Sequence, residues 1–394
     1  MPTRAPKARR RGSMYLDHNA TTPLDPAVLE AMLPYLQGRC GNPSSVHQAG
    51  RAARAAVDEA REQVAALVGV QPSQVIFTAG GTEANNLALK GIALQGGREA
   101  ALVVSAIEHP SVLQAAAHLQ RQGWPLVQVA PDRDGVVQPE TVAAAMPAKT
   151  ALVSVMLANN ETGAIQDVAA IAALIRGRGA LMHTDAVQAL GKIPVHFPSL
   201  GAHLMSLSAH KIHGPQGVGA LILDKRTGIE PLLHGGGHER KRRAGTENVA
   251  GIVGFGRAAQ LAQERLAAEQ ARLTQLRERL IARVKAALPD AVVFAERAPR
   301  LPNTVALGVP GVDGETLLMS LDLMGIMVSS GSACASGSLE PSPVLLAMGV
   351  TRELARSAIR VSLGRENTAA EVDLFADVLR AQAERLRGLA RAAG

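Results

Sequence analysis

Cys334 is one of only two cysteines in 394 residues, and it stands in "SSGSACASGSLEPSP" (329–343) among glycine, serine and alanine. A structural free cysteine behaves as a small buried hydrophobe. This neighbourhood gives a thiol almost nothing to pack against, so it predicts an accessible loop and suits a nucleophile. Three further elements could do chemistry. Lys211, in "SLSAHKIHGPQGVGA", follows an apolar strand and precedes a glycine-rich turn. Partial desolvation there would lower its pKa and make it a usable amine, whereas a lone loop lysine would simply be a surface residue. Asp185, in "HTDAVQ", ends the preceding strand and could equally cap a helix. In "FTAGGTEANNLAL" a strand runs through Gly80, Gly81 and Thr82 into a helix, a place where backbone N–H groups can hold a phosphate. A lysine for a Schiff base, an acid for a pyridinium nitrogen and a phosphate cradle are together what pyridoxal 5'-phosphate requires. The conjunction is far more specific than any one part.

These residues need a scaffold, and the sequence supplies one. Short apolar strands are expected at 75–80, 101–109, 125–130, 151–159, 181–187, 203–209 and 217–224, with Ala/Leu-rich helical stretches between several of them. That alternation predicts an α/β protein with a mostly parallel seven-stranded sheet covered by helices on both faces. Ligand sites of such sheets lie beyond the carboxyl ends of the strands, where the residues above fall. Residues 258–288 read as a long charged amphipathic helix crossing into a second, smaller α+β domain. The expected division is a disordered basic tail (1–13), an N-terminal segment joining the small domain (14–28), a large cofactor-binding domain (29–260) and a small C-terminal domain carrying the Cys334 loop (261–394).

Composition narrows the function. The formal charge of +7 owes five units to Arg4, Lys7, Arg9, Arg10 and Arg11. The rest of the chain is close to balance, which disfavours direct nucleic-acid binding. No apolar run is long enough to span a bilayer and no secretory signal is present. Two cysteines give no disulfide framework, which fits a reducing cytoplasm. No cluster reads as a metal site.

The ordered blocks "YLDHNATTPLDP", "GNPSSVHQAGR", "TEANNLALKG", "EHPSVL", "ANNETGAIQDV", "HTDAVQALGKIPV", "SAHKIHGPQGVG", "RAGTENV", "SGSACASGSLEPSP" and "IRVSLG" run from about Tyr15 to Arg365. Together they resemble the cysteine desulfurases of the NifS/IscS type, within the class V aminotransferases of fold-type I pyridoxal phosphate enzymes. The resemblance implies that Lys211 carries the cofactor and moves protons at the substrate Cα. It implies that Asp185 pairs with the pyridine nitrogen, that Gln188 bonds the ring hydroxyl and that His109 stacks on the ring and assists proton transfer. Gly81, Thr82, Ser208 and His210 would hold the phosphate. Thr246 would add a phosphate contact from the other subunit of a homodimer with shared sites. Arg360 and Asn160 would bind the substrate; Asn160 has a plainer reading as a turn former, and a salt bridge to an internal acid is the second reading of Arg360.

The activity so implied converts L-cysteine to L-alanine. Cys334 takes the sulfur as a persulfide and passes it to an acceptor protein, a scaffold or carrier for iron–sulfur cluster or thio-cofactor synthesis. Two alternatives remain open on the sequence: a related pyridoxal phosphate lyase or aminotransferase, such as a selenocysteine lyase, and a non-catalytic sulfur-assembly subunit. Three details carry expectations of their own. Cys40 is expected to be incidental. Gly81, where relatives often have alanine, should accept that change without harm. The stretch "GGGHERKRR" (235–243), with His238 where relatives often have glutamine, is expected to be a solvated charged loop.

Overall fold

The computed structural model describes residues 13–330 and 340–393. Its strands are β1 (Met14–Tyr15), β2 (Val75–Thr78), β3 (Ala101–Ser105), β4 (Leu126–Val129), β5 (Thr150–Ser154), β6 (Leu181–Asp185), β7 (Leu204–Ser208), β8 (Gly219–Leu223), β9 (Val292–Val293), β10 (Thr304–Gly308), β11 (Ile326–Met327), β12 (Ser329–Ser330) and β13 (Ala358–Ser362). Seven of them form the expected sheet, in the order β2-β8-β7-β6-β5-β3-β4. All pairs from β7 to β4 are parallel, while β8 runs antiparallel to both of its neighbours. Each of the seven expected stretches overlaps one of these strands. The strands end earlier than the apolar runs suggested, because the last residues of each run leave the ladder to build the site.

Residues of β3, β6, β7 and β8 are buried almost throughout, as required of strands covered on two faces, and those of β3 and β8 are almost all apolar. One face packs on helices Gln48–Val68 and Val249–Ala287 through Val57, Val64, Phe77, Met205 and Phe255. The other packs on helix Gly81–Gly96 and helix Pro110–Arg121 through Leu87, Ile92, Val112 and Leu221. A third cluster lies under the antiparallel sheet β12-β13-β10-β9 and takes in Met14, Leu16, Leu280, Val361 and Phe375. β1 pairs in parallel with β11, and Asp17 bridges to Ser362, so the N-terminal segment adds to the C-terminal layer.

Helix Val249–Ala287 begins nine residues before the charged stretch that betrayed it. Its first turns, "VAGIVGFGR", carry glycines that weaken a helical reading but permit close approach. A Cβ on Gly256 would stand 2.6 Å from Ala60 Cα, and one on Gly254 would stand 2.6 Å from Met32 Sδ. The position 260/261 falls inside this one helix.

Candidate active site

Because β2, β3, β5, β6 and β7 point the same way, their carboxyl ends share one edge of the sheet. Along that edge lies a cavity of ≈ 310 Å³, lined by Gly81, Thr82, His109, Asn160, Asp185, Gln188, Ser208, His210, Lys211 and Arg360. Ten of the residues expected from sequence thus meet in one chamber, although they come from positions as far apart as 81 and 360. Two do not. Thr246 is exposed, outside this cavity and just before the Asn248 cap of the long helix. Cys334 lies outside the described residues.

Asp185 is the last residue of β6 and is buried. Its Oδ2 accepts from Asn85 Nδ2 at 2.7 Å and its Oδ1 from the Val187 N–H at 2.9 Å. Asn85 also donates to Ser111 Oγ at 2.8 Å. The Ser111 hydroxyl lies 2.7 Å from His109 Nδ1, which accepts the Ser111 N–H at 3.1 Å. The chain Asp185–Asn85–Ser111–His109 therefore fixes carboxylate and imidazole together and leaves the ring proton to Nε2. His109 both caps helix Pro110–Arg121 and lines the cavity, so the backbone-bonded reading and the functional reading hold together. Burial pushes its pKa down, with Lys211 adding to that and Asp185 opposing it.

Lys211 ends a single 3₁₀ turn after β7 and is half-buried. Its Nζ donates to the carbonyls of Asn19 and Ala20, each at 2.6 Å. Asn19 is the hub that sequence reasoning missed. Its carbonyl also accepts from Gln188 Nε2 at 2.9 Å, and its side chain bonds Thr304 and Asn303. His210 sits beside Lys211, its Nδ1 3.1 Å from Thr21 Oγ1. Its pKa is pushed down to about 4 by burial and by Lys211, Lys192 and His109 nearby.

Gly80 has φ +149°, a conformation that turns β2 sharply into helix Gly81–Gly96. The first-turn Glu83 accepts from the Ala79 N–H at 2.7 Å and forms an ion pair with Arg243 at 2.9 Å. This corrects the expectation of a solvated loop at 235–243. Arg243 braces the cradle helix, while Glu239 is buried, holding Arg61 through two bonds of 2.7 Å and accepting from the Phe77 N–H. The expectation for Gly81 also needs correcting. A Cβ there would stand 2.9 Å from Val187 Cγ2, a short and stiff methyl, so alanine requires the Val187 turn to shift.

Arg360 on β13 is buried and donates to the Asn160 carbonyl at 3.0 Å. It also forms an ion pair with Asp17 at 2.6 Å, so the internal salt bridge ranked second in the sequence is real. Its Nε is buried and has no hydrogen-bond partner among the described residues, and the side chain lines the cavity. A guanidinium so placed retains a donor for an incoming carboxylate.

Behind the site, Glu108 is fully buried. Its Oε1 accepts from Ser105 Oγ at 2.5 Å and from the Met156 N–H at 2.6 Å. Burial pushes its pKa up to about 8, with Asp185 adding to the rise. From pH 4.5 towards 8 the folded chain keeps this proton and the unfolded chain loses it, so stability falls as pH rises. His183, bonded to Ser154 and Ser206 and held down to about 3 by burial, acts the other way, as does His210, but both only below about 6.5. Burial also raises Glu161 to about 7 and lowers Lys192, so it is the comparison with the parent that cancels these groups and isolates Glu108 over pH 6.5–8. Across it the stability of Glu108→Gln relative to the parent is expected to rise by up to about 1.4 kcal/mol per pH unit. Thermal melts at matched cofactor loading check this; parallel pH curves for the two proteins would contradict a protonated Glu108.

Residues 14–375 match the family model for class-V aminotransferases. The chain belongs to the class-V aminotransferase family. Among curated relatives it is 44% identical over 375 residues to the cysteine desulfurase IscS of Dictyoglomus turgidum, covering 95% of each chain. It is 46% identical over 378 residues to a cysteine desulfurase of Cereibacter sphaeroides, covering 95% of this chain and 97% of the other. Among solved structures, a NifS-like protein superposes with a TM-score of 0.89 at 38% identity, covering 95% of this chain and all of the other. SspA in complex with cysteine gives 0.79 at 30% identity, over 89% and 98% of the two chains.

Class-V aminotransferases depend on pyridoxal phosphate, and the cavity fits that group. A primary amine and a buried carboxylate project into it, and a glycine-led helix N-terminus of 16 residues opens onto it with Thr82 and Ser208 alongside. Lys211, Asp185, Gln188 and His109 would meet the ring end, and Gly81, Thr82, Ser208 and His210 the phosphate end.

Proposed function

We propose that the protein is a cysteine desulfurase that converts L-cysteine to L-alanine and passes the sulfur, as a persulfide on Cys334, to an acceptor protein. The observation that carries this reading is the single chamber joining Lys211, Asp185, His109 and Arg360. Relatives named cysteine desulfurase, matched over nearly the whole chain, support the same activity. Pyridoxal phosphate bound there supplies the electron sink that lets an α-proton leave. Asp185 holds a proton at the ring nitrogen. Lys211 Nζ takes the substrate's α-proton and returns protons to carbon. His109, its Nδ1 taken by the Ser111 N–H, would meet the ring and donate from Nε2. With its Nδ1 at the Thr21 hydroxyl, His210 would meet the phosphate through Nε2. Arg360 and Asn160 orient the substrate carboxylate. The Cys334 thiolate then bonds to the substrate sulfur as the bond from that sulfur to Cβ breaks. The electron pair of that bond stays with carbon, which is protonated to the methyl group of alanine.

Thr246 is exposed and outside the cavity, which supports its service to a second subunit of a homodimer. Residues 29–260 would form the cofactor domain, with 14–28 and 261–394 forming the other. No helix among the described residues is long and apolar enough to cross a membrane, and no group of metal-binding residues is found among them. The reading places the enzyme in the cytoplasm, supplying a scaffold or carrier for iron–sulfur cluster assembly. The test is to give the purified protein L-cysteine and a reductant. Alanine and sulfide should appear in equal amounts; a 2-oxo acid, or no alanine, would overturn the assignment.

A further inference from the structure

Lys192, in "ALGKIPV", is buried and has no role in the account above. Its Nζ donates to Gln188 Oε1 at 2.6 Å and lies 3.4 Å from Asn19 Oδ1. On the other side of the same amide, Gln188 Nε2 donates to the Asn19 carbonyl at 2.9 Å. An amide nitrogen and oxygen are nearly alike in size, so the partners decide which way a buried glutamine faces. A lysine nitrogen keeps N–H donors in either protonation state, and a carbonyl can only accept. The Asn19 carbonyl therefore requires the amide nitrogen on its side, and the Lys192 donor matches the oxygen on the other. Among the described residues nothing takes the second amide hydrogen of Gln188, whose side chain lines the cavity.

We propose that Lys192 is a positioning residue for the cofactor: it locks Gln188 so that an N–H, and not a carbonyl oxygen, meets the ring hydroxyl oxygen of pyridoxal phosphate. The inference rests on the cofactor reading above. It explains why a lysine is tolerated where burial, with Lys211 and Arg360 close by, drives its pKa well below the usual range. Away from Gln188, Lys192 borders a cavity of ≈ 50 Å³ shared with His18, Lys211, His213, Arg265, Glu269 and Arg365. With Lys211 and Arg360 these are the titratable and charged groups that surround it, and Glu269 is the one acid among them.

An N–H aimed at an anionic oxygen stabilises the anion, so the bound cofactor gives up its proton at lower pH. In Lys192→Met the Asn19 carbonyl alone holds the amide and Oε1 loses its donor, so the amide turns more readily and the pH midpoint of the cofactor's visible band is expected to rise by about one unit. Lys192→Gln, which keeps a donor, should restore much of that shift. The decisive measurement is a spectroscopic pH titration of the holoenzyme in a double-mutant cycle with Gln188→Ala. The account expects the Lys192→Met shift to vanish in the Gln188→Ala background. A shift of equal size in both backgrounds, or none in either, would overturn it. Should Lys192→Met fail to fold, the same cycle is run with Lys192→Gln against the parent, with a smaller upward shift expected that again vanishes with Gln188→Ala. A parent protein that shows no visible cofactor band would instead sink the cofactor reading itself.

Discussion

Lys211→Ala is expected to lower alanine formation from cysteine by about 10⁴-fold, a loss of ~5.5 kcal/mol of transition-state stabilisation. Among the described residues that line the chamber, the Lys211 amine is the one group able both to bind a carbonyl carbon covalently and to carry a proton at the substrate Cα. Its position comes from the sheet: β7 ends at Ser208, one 3₁₀ turn follows, and Nζ reaches the Asn19 and Ala20 carbonyls at 2.6 Å. Removing the side chain should leave the fold intact: the Asn19 carbonyl keeps its bond from Gln188, and only the Ala20 carbonyl loses its donor. The variant should therefore still bind pyridoxal phosphate, but reversibly. Borohydride reduction should fix the cofactor to the Lys211 peptide of the parent and to no peptide of the variant. Activity within tenfold of the parent would remove Lys211 from the mechanism.

Asp185→Asn is expected to lower turnover by about 10³-fold, ~4 kcal/mol, with the cofactor still bound. The substitution preserves shape and removes the charge that would keep a proton on the ring nitrogen. It also sets an amide against a donor, since Asn85 Nδ2 lies 2.7 Å from Asp185 Oδ2 and the Val187 N–H lies 2.9 Å from Oδ1. Whichever way the new amide turns, one of these donors faces its NH₂. Disturbance of Asn85 would then pass through Ser111 to His109. The expected signature is a fall in kcat at nearly unchanged cofactor affinity. A variant with parental kcat would show that the carboxylate does not serve the ring nitrogen.

The legible parts of this molecule were the local ones. A strand followed by Gly80, Gly81 and Thr82, a lysine just past a strand and an acid at a strand end each occupy one short window. Their conjunction pointed to the cofactor before any contact was known. What the sequence hid depends on long-range meetings. Asn85 reaches Asp185 across 100 residues, Lys211 reaches Asn19 across 192, and Arg360 reaches Asp17 across 343. A neighbouring acid in the chain would have announced an ion pair; one brought in by a parallel β1–β11 pairing does not. The basic run 240–243 misled for a related reason. Arg243 and Glu239 find their partners, Glu83 and Arg61, only after the loop has folded back through Glu239, Arg240 and Lys241, all with positive φ. The start of the long helix stayed hidden because its glycines serve packing against Ala60 and Met32 rather than helix propensity.

The central claim is that substrate sulfur leaves on Cys334. The most direct measurement is to treat the holoenzyme with one equivalent of L-cysteine without reductant, alkylate, digest and weigh the peptide containing Cys334. The account predicts that this peptide carries one additional sulfur, that an equivalent of alanine appears with it, and that both are lost in Cys334→Ala while the cofactor absorbance persists. Alanine formed at the parental rate by Cys334→Ala, with the extra sulfur on Cys40 or on no peptide, would contradict it.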